Sequence, residues 1–312
     1  MRKAIIPLFR ADADEILTGM GTGFAVDPWG KYLSADHVVD FVRPTAPHRS
    51  SKFVVPPGVH LLGLLGMGLI FGEVGIPNDA IVRMANFRTP AVPVDDPLNF
   101  AGGSSSRPYD IAFIGGLNGP PPEMIRNLPL RSRSSSPRVG DLVVAVGFPE
   151  IELAHGAALE LPVAITEGMF AAYGVVKALH PTGRDCSTPT PVFEVEANWP
   201  SGMSGGPVFN SAGEVIGLVS RSIAPSEGDE FGLAWAAWLA ASVDPSNWPD
   251  SVDAADCDSR SSWGAVRIDP WTLEGFPSTR EEAVALAASL GGDFVARSVS
   301  QRLGTDTVVV LN

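Results

Sequence analysis

The stretch NWPSGMSGGPVFN, residues 198–210, places one serine among glycines and ends in an apolar, strand-like run. Gly202, Gly205 and Gly206 leave the backbone around Ser204 without side chains. Such a stretch is either a plain turn, as glycine-rich polar segments usually are, or a loop that presents a hydroxyl to a large substrate. The two interpretations differ in whether a histidine and a carboxylate occur elsewhere in settings that suit a nucleophile.

The composition indicates an acidic, globular chain. Its 312 residues are 45% hydrophobic, which is sufficient for a large core. Lys and Arg number 22 against 35 Asp and Glu, a net charge of −13, so we expect neither nucleic acid nor an anionic membrane surface as a partner.

The cysteines, Cys186 and Cys257, have no CxxC spacing and no histidine cluster beside them. We therefore expect free thiols, no metal site and no cofactor.

Two apolar segments bear on the cellular compartment. The run before Arg10 is shorter than the hydrophobic region of a secretory signal. The segment 59–72, VHLLGLLGMGLIFG, is shorter than the roughly 20 residues that cross a bilayer as a helix, and is better explained as a buried hairpin strand weakened by its glycines. On this basis we expect a cytoplasmic protein without a membrane anchor.

Most of the chain has the pattern of short strands joined by turns. Gly (33) and Pro (28) are abundant, and the apolar runs between them are rich in valine and isoleucine. GTGFAVDPWGKYLSADHVV, residues 21–39, predicts a hairpin whose turn at 27–30 has Asp, Pro and Gly where a type I turn favours them. Further strands are predicted at 110–116, 141–149, 174–180, 191–197, 206–210 and 214–220. Residues 1–245 are therefore predicted to be all-β, in a sandwich or a barrel.

Residues 246–312 differ in character. A polar, acidic connector leads to STREEAVALAASLGG, residues 278–292, which predicts a helix that ends at Gly291 and begins with a capping box between Ser278 and Glu281. Its apolar face comprises Ala283, Leu286, Ala287 and Leu290. The segment is interpreted as an accessory lobe, serving either as a structural cap or in a partner or regulatory contact.

A histidine and an aspartate stand in settings that could carry chemistry. His37 ends YLSADHV, where a hairpin strand runs out, so its ring is expected at the rim of the β-structure. Asp110 opens the apolar strand DIAFIGG, in which Ile111, Phe113 and Ile114 are expected to be buried, and a charge at that margin needs partners. Taken singly, each also fits a structural role, as a hydrogen-bonded histidine or a strand-entry aspartate.

Taken together, the segments resemble the trypsin-like (chymotrypsin-type) serine peptidases. GTGF with LSADHVV, then YDIAFI, then GMSGGPVFN follow the family's order, and GDLVVAVGFP before the serine is also similar to the family. The resemblance implies two six-stranded antiparallel β-barrels with the active site between them in residues 1–245, followed by a small α/β extension in residues 246–312.

The resemblance assigns a catalytic triad to His37, Asp110 and Ser204. Ser204 would be the nucleophile, His37 the base that takes its proton and returns it to the leaving amine, and Asp110 the group that holds the imidazole tautomer. The backbone N–H groups of Gly202 and Ser204 would form the oxyanion hole. The glycines after the serine would leave room for the acyl group.

The resemblance also places Asn198, Ser220 and Ser222 in the pocket for the side chain before the scissile bond. A neutral Asn198 predicts a preference for uncharged, small to medium side chains.

Met203 departs from the digestive members of the family, which carry at this position an aspartate that pairs with a cleaved N-terminus. That activation switch therefore cannot operate here. Asp36, beside the histidine, replaces a small residue and would raise the imidazole pKa if it lay near the ring.

Two functions follow from the sequence. The first is a serine endopeptidase that hydrolyses peptide or protein substrates through an acyl-enzyme. The second is a catalytically inactive trypsin-like fold used as a binding or scaffold module, because a fold does not by itself imply an activity. The complete set of three candidate residues favours the enzyme, since a pure binder has no chemical need to keep it.

Overall fold

The computed structural model describes residues 4–12, 17–26, 31–42, 58–65, 81–95, 104–116, 136–149, 168–185, 188–242, 259–267, 272–302 and 308–311. The chain forms two compact units, Met1–Ala255 and Asp256–Asn312. The sequence placed this boundary between residues 245 and 246. Strands predominate in both units, as the sequence predicted.

The first part of the larger unit forms a closed barrel. Its described strands are β1 (Ile5–Ala11), β2 (Leu17–Ala25), β3 (Lys31–Ser34), β4 (His60–Leu64), β5 (Ile81–Arg88), β6 (Ala91–Asp95), β7 (Ser104–Pro108) and β8 (Ala112–Gly116). Six of these described strands close the barrel in the antiparallel order β1-β2-β3-β8-β5-β4, while β6 and β7 pair with each other in a separate sheet.

The predicted hairpin of residues 21–39 is confirmed by the pairing of β2 with β3. Phe24 lies opposite Leu33 and both are fully buried; the turn itself, residues 27–30, lies outside the described residues. Strand β4 confirms the buried strand predicted within 59–72, of which residues 66–72 also lie outside the described part.

The second barrel follows in the same unit. Its strands are β9 (Leu142–Gly147), β10 (Phe170–His180), β11 (Val192–Glu196), β12 (Pro207–Phe209), β13 (Val215–Ile223) and β14 (Leu233–Trp238), and the short helix α1 (Leu239–Ser242) follows. Within the described chain these six strands close in the antiparallel order β10-β11-β14-β13-β12-β9. Five of them match runs that the sequence predicted as strands, so the double β-barrel is confirmed.

The two barrels share an apolar core. Phe148, Phe209 and Leu218 of the second barrel belong to the same buried cluster as Leu8 and Phe24 of the first. Burial of such side chains stabilises the pairing of the barrels.

The smaller unit is a sheet with one helix. Its described strands are β15 (Ser259–Arg267), β16 (Thr272–Glu274), β17 (Val295–Arg302) and β18 (Val308–Leu311), in the order β16-β15-β17-β18, and helix α2 (Arg280–Leu290) contacts β15 and β17. This arrangement confirms the predicted α/β extension.

Helix α2 begins one residue later than the sequence predicted. Its N-cap is Thr279, whose hydroxyl accepts the N–H of Glu282, while the Glu282 carboxylate accepts the N–H of Thr279. The predicted capping box of Ser278 with Glu281 is therefore wrong, because the extended backbone occurs at Thr279 and the Ser278 hydroxyl donates to Glu282 instead. Ala283 and Ala287 are buried as expected.

The predicted apolar face is only partly correct. Leu286 is half-buried and Leu290 is 41% exposed, so the buried face of the helix is formed by Ala283 and Ala287. The helix ends at Gly291, as predicted, where a φ of 67° favours glycine and the N–H donates to the carbonyl of Ala287.

Candidate active site

His37 is presented by a short helix that follows β3. The 3₁₀-helix Asp36–Val42 buries Val38 and Val39 in the first barrel, and Asp36 is buried at its start, where its carboxylate accepts the hydroxyl of Thr89 at 2.7 Å. His37 itself keeps 47% of its side chain exposed. The ring is therefore exposed close to the end of β3, where the sequence placed it.

Asp110 holds the imidazole through several hydrogen bonds. The Nδ1–H of His37 lies 2.9 Å from Oδ1 and 3.1 Å from Oδ2 of Asp110, and the backbone N–H of His37 donates to Oδ1 at 3.1 Å. The hydroxyl of Ser220 donates to Oδ2, and the backbone N–H of Asp110 donates to Thr190 Oγ1 at 2.8 Å. With Nδ1 as the donor, Nε2 of His37 carries the lone pair.

The pKa of His37 is raised above its ordinary value of 6.5. Burial of the ring lowers the pKa, but the hydrogen bond and the negative charge of Asp110 outweigh this effect. The positive charge of Arg221 lowers the pKa of His37, and the negative charge of Asp40 raises it. Asp36, which the sequence suggested as the neighbouring charge, is buried against Thr89, and Asp40 acts on the ring instead.

The pKa of Asp110 is lowered. Burial of the carboxyl raises it, but the hydrogen bond and charge of His37 and the hydroxyl of Ser220 prevail. Asp110 is thus an anion at neutral pH. Thr190 and Ser220 contribute to this environment, and neither role was visible in the sequence, where Ser220 was assigned to the substrate pocket and Thr190 to no function.

Ser204 lies in a tight loop between the barrels. Gly202 and Gly205 have φ values of 86° and 84°, in the left-handed region that favours glycine. A Cβ at Gly205 would lie 2.2 Å from the hydroxyl oxygen of Ser34, so no larger residue fits there. The N–H of Gly205 donates to the carbonyl of Val219 at 2.7 Å and ties the loop to β13.

Thr22, in the GTGF segment of β2, ties the same loop to the first barrel. Its backbone N–H donates to the carbonyl of Ser204 at 2.8 Å, and its hydroxyl donates to the carbonyl of Gly202 at 3.1 Å. The N–H of Phe148 donates to that hydroxyl at 2.9 Å. Both loop carbonyls thus have partners, whereas among the described residues the N–H groups of Gly202 and Ser204 have no acceptor.

His37 and Ser204 line one cleft of about 610 Å³. The rest of its wall is formed by residues 198–201 and 219–225. Asn198 lines it, but its amide is engaged, because Nδ2 donates to the carbonyl of Glu230 at 3.0 Å and Oδ1 accepts the N–H of Gly232 at 2.7 Å. Ser222 also lines it, and its hydroxyl donates to the carbonyl of Trp199 at 2.8 Å.

The described residues contain no group of His, Cys, Asp or Glu side chains that could hold a metal ion. His37 and Ser204 line one cleft, and Asp110 is hydrogen-bonded to the far side of the His37 ring. When the imidazole is neutral, these groups are the ones needed to take the proton from the hydroxyl and activate it.

The sequence is similar to those of known proteins. A family described as a trypsin-like peptidase domain matches residues 21–218. A curated relative from Rhizobium meliloti (strain 1021), described as a probable periplasmic serine endoprotease DegP-like, is 35% identical over 141 residues, which are 44% of this chain and 23% of the relative. The chain thus spans about a quarter of the length of that relative.

Solved structures of the Rv3671c protease from M. tuberculosis are also similar. The active form has 17% identity and a TM-score of 0.44, with 82% of this chain and 83% of that chain covered. An inactive form has 18% identity and a TM-score of 0.40, with coverage of 76% and 84%. Likeness at this level says nothing about the chemistry of the site.

The expectation of a cytoplasmic protein is wrong. It was based on the short apolar run before Arg10, whereas the curated relative is described as periplasmic. An apolar run reports only on its own segment and cannot assign a compartment to a protein. Among the described residues, no helix has both the length and the apolar character needed to cross a bilayer.

Proposed function

We propose that this chain, which belongs to the trypsin-like peptidase domain family, is a serine endopeptidase that cleaves peptide or protein substrates through an acyl-enzyme. The observation that carries the proposal is the position of the His37 ring. Both carboxylate oxygens of Asp110 lie within hydrogen-bond distance of Nδ1, and the ring shares its cleft with Ser204.

The reaction begins with the transfer of a proton. Ser204 Oγ attacks the carbonyl carbon of the peptide bond while its proton passes to Nε2 of His37. The oxygen of the tetrahedral intermediate accepts hydrogen bonds from the N–H groups of Gly202 and Ser204, which have no other acceptor among the described residues. The negative charge is thereby stabilised where it develops.

The intermediate then collapses. The C–N bond breaks, the leaving amine takes the proton from His37, and the acyl group remains as an ester on Ser204. A water molecule next attacks the ester and gives its proton to His37, which returns it to the Ser204 oxygen as the acid product leaves. Asp110 keeps His37 in the tautomer that has its proton on Nδ1, and it stabilises the imidazolium in both steps.

The lining of the cleft favours an uncharged substrate side chain at the position before the scissile bond. Asn198 is neutral and its amide is engaged with the backbone of residues 230 and 232. Trp199, Val219 and Ile223 make much of the remaining wall apolar, while Arg221 lies where this cleft adjoins the neighbouring cavity. These features support the preference for uncharged, small to medium side chains that the sequence suggested.

A fluorophosphonate probe tests the proposal, because it phosphonylates an activated serine and releases fluoride. We expect the wild-type protein to gain the probe mass and Ser204→Ala to gain none. Ser211→Ala is the matched control, since Ser211 lies in an exposed turn between β12 and β13 outside the cleft, and should label like the wild type. Labelling of Ser204→Ala at the wild-type rate would refute the nucleophile, and folded wild-type protein that never labels would favour the inactive binding module.

A further inference from the structure

We propose that the part of the cleft that holds the residues before the scissile bond selects acidic side chains, through Arg184 and Arg221. This inference rests on the proposed function. It concerns the substrate positions upstream of the one whose side chain enters the pocket beside Asn198.

A second cavity continues the cleft around β13. It has a volume of about 330 Å³ and shares His37, Ser220 and Arg221 with the cleft that holds Ser204. Arg184 also lines this cavity. Because the two cavities adjoin at His37, Ser220 and Arg221, the proposal assigns the second cavity to the residues that precede the side chain in the first pocket.

Arg184 is held in place before any ligand arrives. Its guanidinium carbon lies 4.1 Å from the centre of the Trp235 ring, and the Nε1–H of Trp235 donates to Glu194 at 3.2 Å. The backbone N–H of Arg184 donates to the carbonyl of Thr188 at 3.1 Å. A stacked guanidinium loses little side-chain freedom when it binds a carboxylate.

The carboxylates near this cavity already have partners in the protein. Asp36 is buried and accepts from Thr89. Asp110 accepts from His37 and Ser220. Beside Arg184, Asp185 accepts the N–H of Thr188 at 2.9 Å.

The two guanidiniums, by contrast, are exposed, and neither forms an ion pair within the described part of the chain. The charge of Arg221 reaches the site, because it lowers the pKa of His37. In a chain with a net charge of −13, an incoming peptide thus meets two local cations. Arginine binds a carboxylate through two parallel hydrogen bonds, so Asp or Glu is the side chain that this cavity fits.

The test compares matched peptides that differ only in Glu or Gln at the second to fourth positions before the cleaved bond. On the pH plateau and at low salt, we expect kcat/KM to favour the Glu peptide by about threefold to tenfold at the best position. The preference should fall in Arg184→Gln and in Arg221→Gln, vanish in the double variant, and weaken as salt is added. Arg138→Gln makes the same charge change away from both cavities and should keep the preference.

Binding separates this inference from the proposed function. Fluorescence anisotropy of the same peptides with Ser204→Ala requires no turnover, so it reports on the cavity even if the wild type cleaves nothing. We expect the Glu peptide to bind more tightly by the same factor, and to lose that advantage when both arginines are replaced. Equal binding of the Glu and Gln peptides, or an advantage that survives the double replacement, would overturn the inference.

Discussion

At the scale of single residues, the charge of His37 depends on the side chains around its ring. Burial lowers the pKa of the imidazole, Asp110 raises it, and the result lies above 6.5. A general base must be neutral, so protonation at acid pH removes activity and deprotonation through the raised pKa restores it. We expect kcat/KM for an uncharged peptide to rise with a midpoint above 6.5 and then reach a plateau.

Arg221 and Asp40 provide a matched pair of variants for this profile. Arg221→Gln removes a cation that lowers the pKa of His37, so the midpoint should move up, whereas Asp40→Asn removes an anion that raises it, so the midpoint should move down. Arg138→Gln should leave the midpoint unchanged. A profile that stays flat from about pH 5 to 9 would remove His37 from the role of base.

At the scale of elements, β2 positions the loop around Ser204 through the backbone N–H and the hydroxyl of Thr22. The Thr22 hydroxyl joins the carbonyl of Gly202 to the N–H of Phe148, and so links the two barrels at the proposed oxyanion hole. Removing this hydroxyl takes away the partner of the Gly202 carbonyl and of the Phe148 N–H. The peptide groups of the loop can then change their orientation. Thr22 is thus a positioning residue and touches no substrate.

Thr22→Val tests this positioning role, because valine keeps the shape and removes the hydroxyl. We expect kcat to fall by about tenfold to a hundredfold with KM little changed, since the loss affects the transition state. Thr22→Ser restores the hydroxyl and should recover most of kcat. Thermal unfolding checks that each variant is folded during the assay, and a valine variant with wild-type kcat would show that the link is not needed for catalysis.

At the scale of the whole molecule, the sequence predicted the parts of the site whose structural requirement falls on residues that are adjacent in the chain. Such a requirement can be read as a sequence motif. The loop at Ser204 needs glycine because Gly205 lies against Ser34 and Thr22, and this requirement is readable as a motif. The hydroxyls next to Asp110 leave no sequence motif, since Thr190 and Ser220 lie 80 and 110 residues along the chain from it. Only the closed barrels bring them together.

The errors have equally physical causes. The capping box moved by one residue because adjacent Ser278 and Thr279 both carry a hydroxyl and only the backbone geometry selects between them. The compartment leaves no pattern in the strands and turns of the fold, so the short apolar run before Arg10 could not assign it.

The central claim is that Ser204 and His37 act as one nucleophilic unit, and peptide turnover by three variants tests it most directly. Steady-state kcat would be measured for Ser204→Ala, His37→Ala and the double variant, each verified as folded. We expect each single change to lower kcat by as much as about 10⁶-fold and the double variant to be little worse than either. Near wild-type turnover by Ser204→Ala, or losses that multiply in the double variant, would contradict it.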